Sequence, residues 1–413
     1  MKKYLVAFAH TFVEFRIPEL ISLCELGGVH VNLDGYSDSH PYCVLQGTGT
    51  KELLDILSRS VLIQFILEIW EHCQSREELC DAKFHDISPV GGTFNILLHS
   101  FARKVSLEQK IELVEKIKYL PLTGNVDCND PDQIIYICER YAQNSQSGPP
   151  IEVIIGKLLG RSNRNIIEQL SLKKRPYIGR TSMDAQLSLV MANIAKVKSG
   201  DLVYDPFLGT GSLSIPSSLF GAYTLGSDID LKALHGWGKS TRAGEGTYQP
   251  SQSISGNMEW YGVSKLYIGS HSADFTSPLI RDAPLFDAIV TDPPYGVREA
   301  SLKTTKGLKN SQYALSEQFL ELLNFAARVL VIGGRLVYWL PVMRGLYHDS
   351  SLPRHPSLTL KYNSEQVLNR KSSRRLLVME KTGVCLPEES AFVPGDESCH
   401  GQFRELYFSK SGG

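Results

Sequence analysis

The chain lacks any C-x-x-C pair among its 8 cysteines, at 24, 43, 73, 80, 128, 138, 385 and 399, and no histidine stands at zinc-finger spacing from them. That excludes a structural zinc held by such a set, and no metal is expected. Scattered thiols in a long chain read as a reduced cytosolic or nuclear protein and not as a disulfide framework, and the cytoplasm is the location expected. Net charge is nearly absent too, since 43 Lys+Arg against 44 Asp+Glu leave −1. Any affinity for nucleic acid must therefore come from local patches and not from the field of the whole molecule. No apolar run reaches the roughly 18 residues that span a bilayer; the nearest, Val61 to Trp70, carries Glu68. Lys2 and Lys3 precede the apolar Leu5 to Ala9, but His10, Glu14 and Arg16 interrupt that run, which reads as a first strand and not as a secretion signal. No repeat of solenoid period is present.

What the chain has is length and core-forming composition. Its 413 residues exceed the roughly 250 to 300 at which single cores stop growing, which predicts at least two domains. Hydrophobic residues at 42% and charged residues at 21% are those of a globular protein. The first part reads as small α+β units: a strand over 4–8, a helix opened by Pro18, an alternating strand around Phe94, Ile96 and Leu98, and a helix that Ser106 and Gln109 start as a capping box. After the turn-rich NSQSGPP at 144–150 comes one more strand, then a basic connector. The expected boundaries are 1–160 for the amino-terminal region, 161–176 for the connector and 177–413 for the second domain. From 177 onward strands alternate with helices over 201–205, 223–228, 266–268, 286–291 and 335–340, the rhythm of a mostly parallel sheet. The runs 357–362 and 375–380 are joined closely and predict an antiparallel edge pair.

Three constellations in that second domain carry chemistry. Asp205-Pro-Phe207-Leu-Gly209-Thr-Gly211 follows a strand and precedes a helical run, so its backbone N–H groups can approach a ligand at a helix start. Ser214 stands where a dinucleotide fingerprint has its third glycine, which disfavours a pyrophosphate. Asp228, ending the next strand, can accept ribose hydroxyls, and Asp274-Phe275, ending the third, can meet an adenine edge and face. The competing, lesser reading of Asp274 is a helix N-cap. The third constellation is Asp292-Pro293-Pro294-Tyr295 after the buried run FDAIV. In a chain of this length such a tetrapeptide arises by chance on the order of a few times in a thousand. It is similar to the signature of adenosylmethionine-dependent enzymes that methylate exocyclic amines. Such an amine is a poor nucleophile because its lone pair is delocalised, so its hydrogens must be held by acceptors. Asp292 and the Pro293 carbonyl can do so, the prolines fix the turn, and Tyr295 can stack on a base. Upstream, Thr181 and Asp184 read as a capping box before an apolar stripe of Met183, Leu187, Val190, Met191 and Ile194.

The blocks KKRPYIGRTSMDA, VYDPFLGTGSL, FGAYTLGSDID, FDAIVTDPPYGVRE and HGQFRELYF together resemble the THUMP-containing tRNA guanosine-N2-methyltransferases of eukaryotes and archaea, which act at tRNA position ten. The resemblance implies a Rossmann-like methyltransferase domain with strand order 3-2-1-4-5-7-6 and an amino-terminal α+β, THUMP-like RNA-binding region. It implies S-adenosyl-L-methionine as cofactor, with Thr181, Asp205, Phe207, Gly209 and Gly211 toward its methionine and ribose, Asp228 on ribose, and Asp274 and Phe275 at adenine. It further implies tRNA as substrate and a small zinc-binding activator subunit as partner. Arg103, Lys104, Lys173, Lys174 and Arg175 are the candidate phosphate contacts. The competing expectations are an adenine-N6 methyltransferase using the same turn, and an RNA-binding scaffold without turnover. The segment Gly236 to Gly262 and the stretch after residue 383 give no clear pattern.

Overall fold

A computed structural model describes the chain except residues 1, 34–35, 102, 143–147, 180, 237–252, 277–279, 297–301, 304–310, 313 and 410–413. The chain separates into two compact units, Met1–Arg164 and Asn165–Gly413, so most of the expected connector packs with the second unit.

The first unit runs β1 (Lys3–Phe8), α1 (Arg16–Leu26), β2 (Tyr42–Gln46), α2 (Thr50–Arg59), β3 (Ile63–Cys73), α3 (Arg76–Asp81), β4 (Phe94–Phe101), α4 (Leu107–Lys116), β5 (Gln133–Arg140) and β6 (Glu152–Arg161). Its six strands pair in the order β2-β1-β3-β6-β5-β4, antiparallel except for β4 with β5. Both faces of β1 are covered. Tyr4, Val6 and Phe8 pack toward Leu20, Leu23 and Leu53 of α1 and α2, while Leu5 and Ala7 pack with Phe65 and Leu67 of β3, the period-2 alternation of a strand between two layers. The Ser106–Gln109 capping box forms as the sequence predicts, each side chain bonded to the other residue's backbone N–H.

The second unit runs α5 (Asn165–Gln169), α6 (Ala185–Ile194), β7 (Leu202–Asp205), α7 (Ser214–Leu219), β8 (Tyr223–Asp228), α8 (Leu231–His235), α9 (Ile254–Trp260), β9 (Tyr267–Ser272), β10 (Phe286–Thr291), the short β11 (Leu302–Lys303) and β12 (Ser311–Gln312), α10 (Leu315–Val329), β13 (Leu330–Met343), β14 (Leu358–Val367), β15 (Ser372–Lys381), α11 (Ser398–Gly401) and α12 (Phe403–Phe408). The large sheet has the order β14-β15-β13-β10-β7-β8-β9. Counted from β7 as strand one, that is the expected 3-2-1-4-5-7-6. β13, β10, β7, β8 and β9 are parallel neighbours, and β15 joins both β13 and β14 antiparallel. The order reverses between β7 and β10, and that switch point opens the crevice in which α/β sheets bind ligands.

Two local expectations are corrected. The helix after residue 181 starts at Ala185, with Asp184 alone as N-cap: its Oδ1 accepts the N–H groups of Gln186 at 2.9 Å and Leu187 at 3.1 Å. Thr181 is three residues short of that cap and takes no part in it. The apolar stripe is in fact a whole buried helix, since every residue of α6 is buried and Met191 Sδ accepts the Trp339 indole N–H at 3.2 Å. Most of the glycine-rich stretch lies outside the described residues, but its end forms α9, capped by Ser253.

β13 and β15 are clamped to α6 by an ion pair between buried Arg335 and half-buried Glu380. Arg335, fully buried, donates from Nε to Glu380 Oε2 at 3.0 Å and from Nη1 to the Ile194 carbonyl at 2.8 Å, and Lys196 reaches the same carboxylate at 3.2 Å. Removing one partner leaves a buried charge without its counterion, which costs more than the pair contributes. Glu380→Ala is therefore expected to lower unfolding free energy by about 3 kcal/mol in a denaturant titration.

Candidate active site

Strand ends at the switch point build one cavity of about 760 Å³ in the second unit. Among the described residues it is lined by Thr181, Asp205, Phe207, Gly209, Asp228, Asp274 and Phe275 together with all of Asp292, Pro293, Pro294 and Tyr295. Most of the cofactor and DPPY residues singled out in sequence thus share one space although they span more than a hundred positions.

The glycine loop is organised by two carboxylates. Asp205 ends β7, and its Oδ1 accepts the Phe207 N–H at 3.0 Å and the Thr291 hydroxyl at 2.6 Å, a bond that ties the loop to the end of β10. Asp228 ends β8; its Oδ2 accepts the Gly209 N–H at 2.8 Å and its Oδ1 the Asp230 N–H at 2.8 Å. Gly209 takes φ +52°, open to a side-chain-free approach. Gly211 is different. It is not among the residues lining the cavity, and at φ +74° a Cβ on it would stand 2.8 Å from Ile254 Cγ2, so its lack of a side chain admits α9. Asp274 accepts both the N–H and the hydroxyl of Thr276, at 3.0 and 2.8 Å, an Asx turn that begins no described helix. Phe275 packs edge-on against Phe207, ring centres 5.0 Å apart. Ser182 bridges Gly179 N–H and the Thr210 hydroxyl at 2.8 and 2.7 Å, which docks the segment carrying Thr181 on the glycine loop.

In the DPPY turn, the Tyr295 hydroxyl donates to Asp292 Oδ1 at 2.5 Å, and the ring meets Phe403 edge-on at 6.5 Å. Several functional side chains escape sequence reasoning. Arg374 of β15 reaches Asp292 Oδ2 at 3.5 Å and the Tyr295 hydroxyl at 3.3 Å. Its signal in the sequence is no more than the first of two arginines ahead of the apolar run LLVM. Phe403 and Tyr407 of the HGQFRELYF block line the cavity, as does Gln318 of α10, whose Nε2 is buried with no partner among the described residues. A buried amide donor left unpaired costs about 1 to 3 kcal/mol, so this one is a position where a ligand acceptor belongs.

The electrostatics favour a cation. Asp184, Asp205, Asp228, Asp230, Asp274 and Asp292 line the cavity against Arg374 as its single described Lys or Arg. Burial pushes the Asp205 carboxyl up to about 7, with the Thr291 and Phe207 donors opposing that rise and the charges of Asp228 and Asp292 adding to it. Room for a nucleoside with a cationic tail, ribose acceptors and an unpaired amide donor fit S-adenosyl-L-methionine.

The candidate phosphate contacts are scattered. Lys104 and Lys173 are exposed; Arg103 donates to the Gly148 carbonyl at 2.6 Å and lies 5.3 Å over the Tyr141 ring; Lys174 pairs with Glu168 at 2.9 Å. Arg175 is corrected. It is fully buried, with Nη1 on Ser212 Oγ at 2.9 Å and Nη2 on the Leu170 carbonyl, so it holds the start of the second unit to the glycine loop and is closed to a phosphate.

Fold and cavity define the class, an adenosylmethionine-dependent methyltransferase. Residues 2–164 match the model of the Tmrp11 THUMP N-terminal domain, and residues 173–341 that of the RMKL-like methyltransferase domain. The chain is 38% identical over 440 residues to tRNA (guanine(10)-N(2))-methyltransferase TRMT11 of Xenopus laevis, covering 99% of this chain and 91% of that protein. It is 32% identical over 447 residues to tRNA (guanine(10)-N(2))-methyltransferase of Saccharomyces cerevisiae, covering 99% of each. Among solved structures, TrmN from Thermus thermophilus is 20% identical, with TM-score 0.44 over 92% of this chain and 99% of that one. The chain belongs to the tRNA (guanine(10)-N(2))-methyltransferase family.

Protonation of Asp205 near neutrality gives a test. A cationic ligand favours the ionised carboxylate, so affinity should be full above about pH 7 and fall by up to tenfold per unit below it. Calorimetry with S-adenosyl-L-methionine, whose sulfonium carries the charge, is expected to show that fall in the native chain and its absence in Asp205→Asn, whereas Asp228→Ala should weaken binding at every pH.

Proposed function

We propose that this chain transfers a methyl group from S-adenosyl-L-methionine to the exocyclic N2 amine of a guanosine in tRNA, at position ten. The observation that carries the reading is the Asp292 carboxylate in one cavity with the glycine loop and the ribose acid, within a chain whose full-length relatives bear that activity in their names. The bound cofactor supplies an activated methyl whose leaving group needs no acid.

The chain's own residues then have three tasks. Asp228 and Gly209 hold the ribose side, with Asp274 and Phe275 at the adenine. Asp292 Oδ and the Pro293 carbonyl accept the two amine hydrogens and orient the nitrogen lone pair for in-line attack. Tyr295, Phe403 and Tyr407 supply aromatic surface for the base and exclude water. Asp292→Ala is expected to lower the transfer rate roughly 10² to 10³-fold, the loss seen when one pre-organised hydrogen-bonding group is removed, with cofactor affinity retained. Digestion of the product tRNA should give N2-methylguanosine; methyladenosine would favour the N6 reading, and an unmodified tRNA with bound cofactor the inactive scaffold.

The tRNA is gripped by the amino-terminal unit and by Lys104, Lys173 and Lys174. If these lysines meet phosphates, log affinity falls with log salt by about 0.7 to 0.9 per contact, and charge reversal of Lys173 and Lys174 flattens the slope. An unchanged slope would remove them from the RNA path. A zinc-binding activator completes the reading. Support for such a partner comes from β9, the terminal strand of the sheet, which leaves Ile268 59% exposed, and from Trp260 on the neighbouring α9, 63% exposed. Among the described residues no helix is long and apolar enough to cross a membrane, and the free thiols suit the cytoplasm.

A further inference from the structure

The six aspartates that line the cavity suit a cationic cofactor, but they repel the phosphates of an RNA strand brought to its mouth. One stretch of the chain is strongly basic. From position 344 to 375 there are seven Lys or Arg against only Asp349 and Glu365, in a chain whose net charge is −1. β14 and β15 lie in this stretch, and the turn that joins them, 368–371, comes to the cavity: Leu368 and Asn369 line it, and the exposed Arg370 and Lys371 follow. Ser372, the first residue of β15, pairs with Met343, the last of β13. The turn therefore stands at the carboxyl ends of the parallel strands, the side on which such sheets bind ligands.

Hydrogen bonds fix the shape of the turn. The Leu368 and Asn369 N–H groups donate to the Ser372 carbonyl at 3.2 and 3.1 Å, and Asn369 Oδ1 accepts the N–H groups of Lys371 and Ser372, each at 2.9 Å. The Lys371 carbonyl accepts the Arg344 N–H at 2.9 Å, which ties the turn to the end of β13. Several cations of the basic stretch are engaged elsewhere: Arg344 pairs with Glu365 at 3.1 Å, Arg375 lies 4.0 Å over the Tyr347 ring, and Arg374 turns inward to Asp292. Arg370 makes no ion pair among the described residues and is exposed. Leu368 beside it is 47% exposed, a large apolar side chain at an aqueous rim.

We infer that the β14–β15 turn is an RNA-contacting element of the methyltransferase unit: Arg370 and Lys371 meet phosphates flanking the target nucleotide, and Leu368 packs on that nucleotide where it enters the cavity. The inference rests on the reading of tRNA as substrate and adds the part of the second unit that holds it. A stacked base cannot bring its amine to a turn inside a cavity, so the nucleotide must swing out of its stack. That movement carries the flanking phosphates to the mouth, against the field of the aspartates. Cations on a fixed turn at the rim offset the repulsion and set the register of the strand. An apolar side chain beside them covers base surface that has lost its stacking neighbours.

The test follows methylation of whole tRNA by the full-length chain and by three variants: Arg370→Glu combined with Lys371→Glu, Leu368→Ala, and Arg354→Glu as control. Arg354 is an exposed cation of the same basic stretch that does not line the cavity. The double reversal should raise KM for tRNA by about tenfold or more. It should also lower the salt slope of log affinity by about 1.4 to 1.8, two phosphate contacts at about 0.7 to 0.9 each, with adenosylhomocysteine affinity changed less than about threefold. Leu368→Ala should lower kcat about tenfold, on the order of the worth of burying one leucine side chain, with tRNA affinity changed less than about threefold. Arg354→Glu should match the native chain. Native KM and salt slope in the double variant overturn the inference, and so does an equal loss in Arg354→Glu, which would assign the effect to the basic stretch as a whole. Lost methylation with an intact salt slope overturns it as well and gives the turn to a protein partner; a parallel fall in cofactor affinity reduces it to a support of the cavity rim. Native kcat in Leu368→Ala overturns the packing role. Should the double reversal fail to fold, Arg370→Ala with Lys371→Ala reads the same slope. If the native chain itself fails to methylate guanosine, the functional reading fails; if it succeeds and only these variants behave otherwise than stated, this inference fails.

Discussion

The site depends on a hydrogen bond between two strand ends. β7 and β10 lie side by side in parallel, and where they finish, the Thr291 hydroxyl donates to Asp205. One strand leads into the glycine loop and the other into the DPPY turn, so this bond sets the distance between the two. Near-attack geometry tolerates errors of well under ~1 Å. A buried bond between the ends of two core strands can meet that tolerance where mobile loops could not. Burial has a second effect: it raises the Asp205 carboxyl toward neutrality.

Charge balance governs the rest of the cavity. Six aspartates attract a sulfonium, yet carboxylates crowded together repel one another, and opposite charges about 4 Å apart interact by on the order of 4 kcal/mol at an effective dielectric of 20. Backbone N–H donors offset part of that repulsion at Asp205, Asp228 and Asp274. Asp292 is supported instead by a tyrosine hydroxyl and a guanidinium. That difference follows from its place: a turn that begins with two prolines lacks the amide hydrogens with which the other aspartates are held.

Much of this was legible in the sequence because it is local. Strand, loop and acid recur in order, and the residues that end β7, β8, β9 and β10 are chemically distinctive wherever they appear. The strand order came from a family resemblance carried by the same blocks. What stayed hidden depends on register and burial. Arg374 is one arginine among several in NRKSSRRLLV, and only the pairing of β15 with β13 and β14 selects it for the site. Arg175 was misread for the converse reason. A basic run looks solvated, and nothing in KKRPY says that the third cation turns inward to Ser212 while Lys174 stays on the surface with Glu168. Thr181 misled as a cap because its spacing to an acid fits the pattern, whereas the chain turns into the helix only at Asp184.

The antiparallel end of the large sheet has a consequence for biosynthesis. Asp292 and Arg374 are separated by 82 positions, and Met183 and Arg374 by 191. At roughly 5 to 20 residues per second, a ribosome takes on the order of 4 to 16 s to make the stretch between the acid and its cation. During that interval a nascent chain owns the glycine loop, the ribose acid and the DPPY turn but has no guanidinium beside Asp292. The strand ends that carry the glycine loop, Asp228 and the DPPY turn are thus made well before β15, which brings the Arg374 guanidinium to that turn.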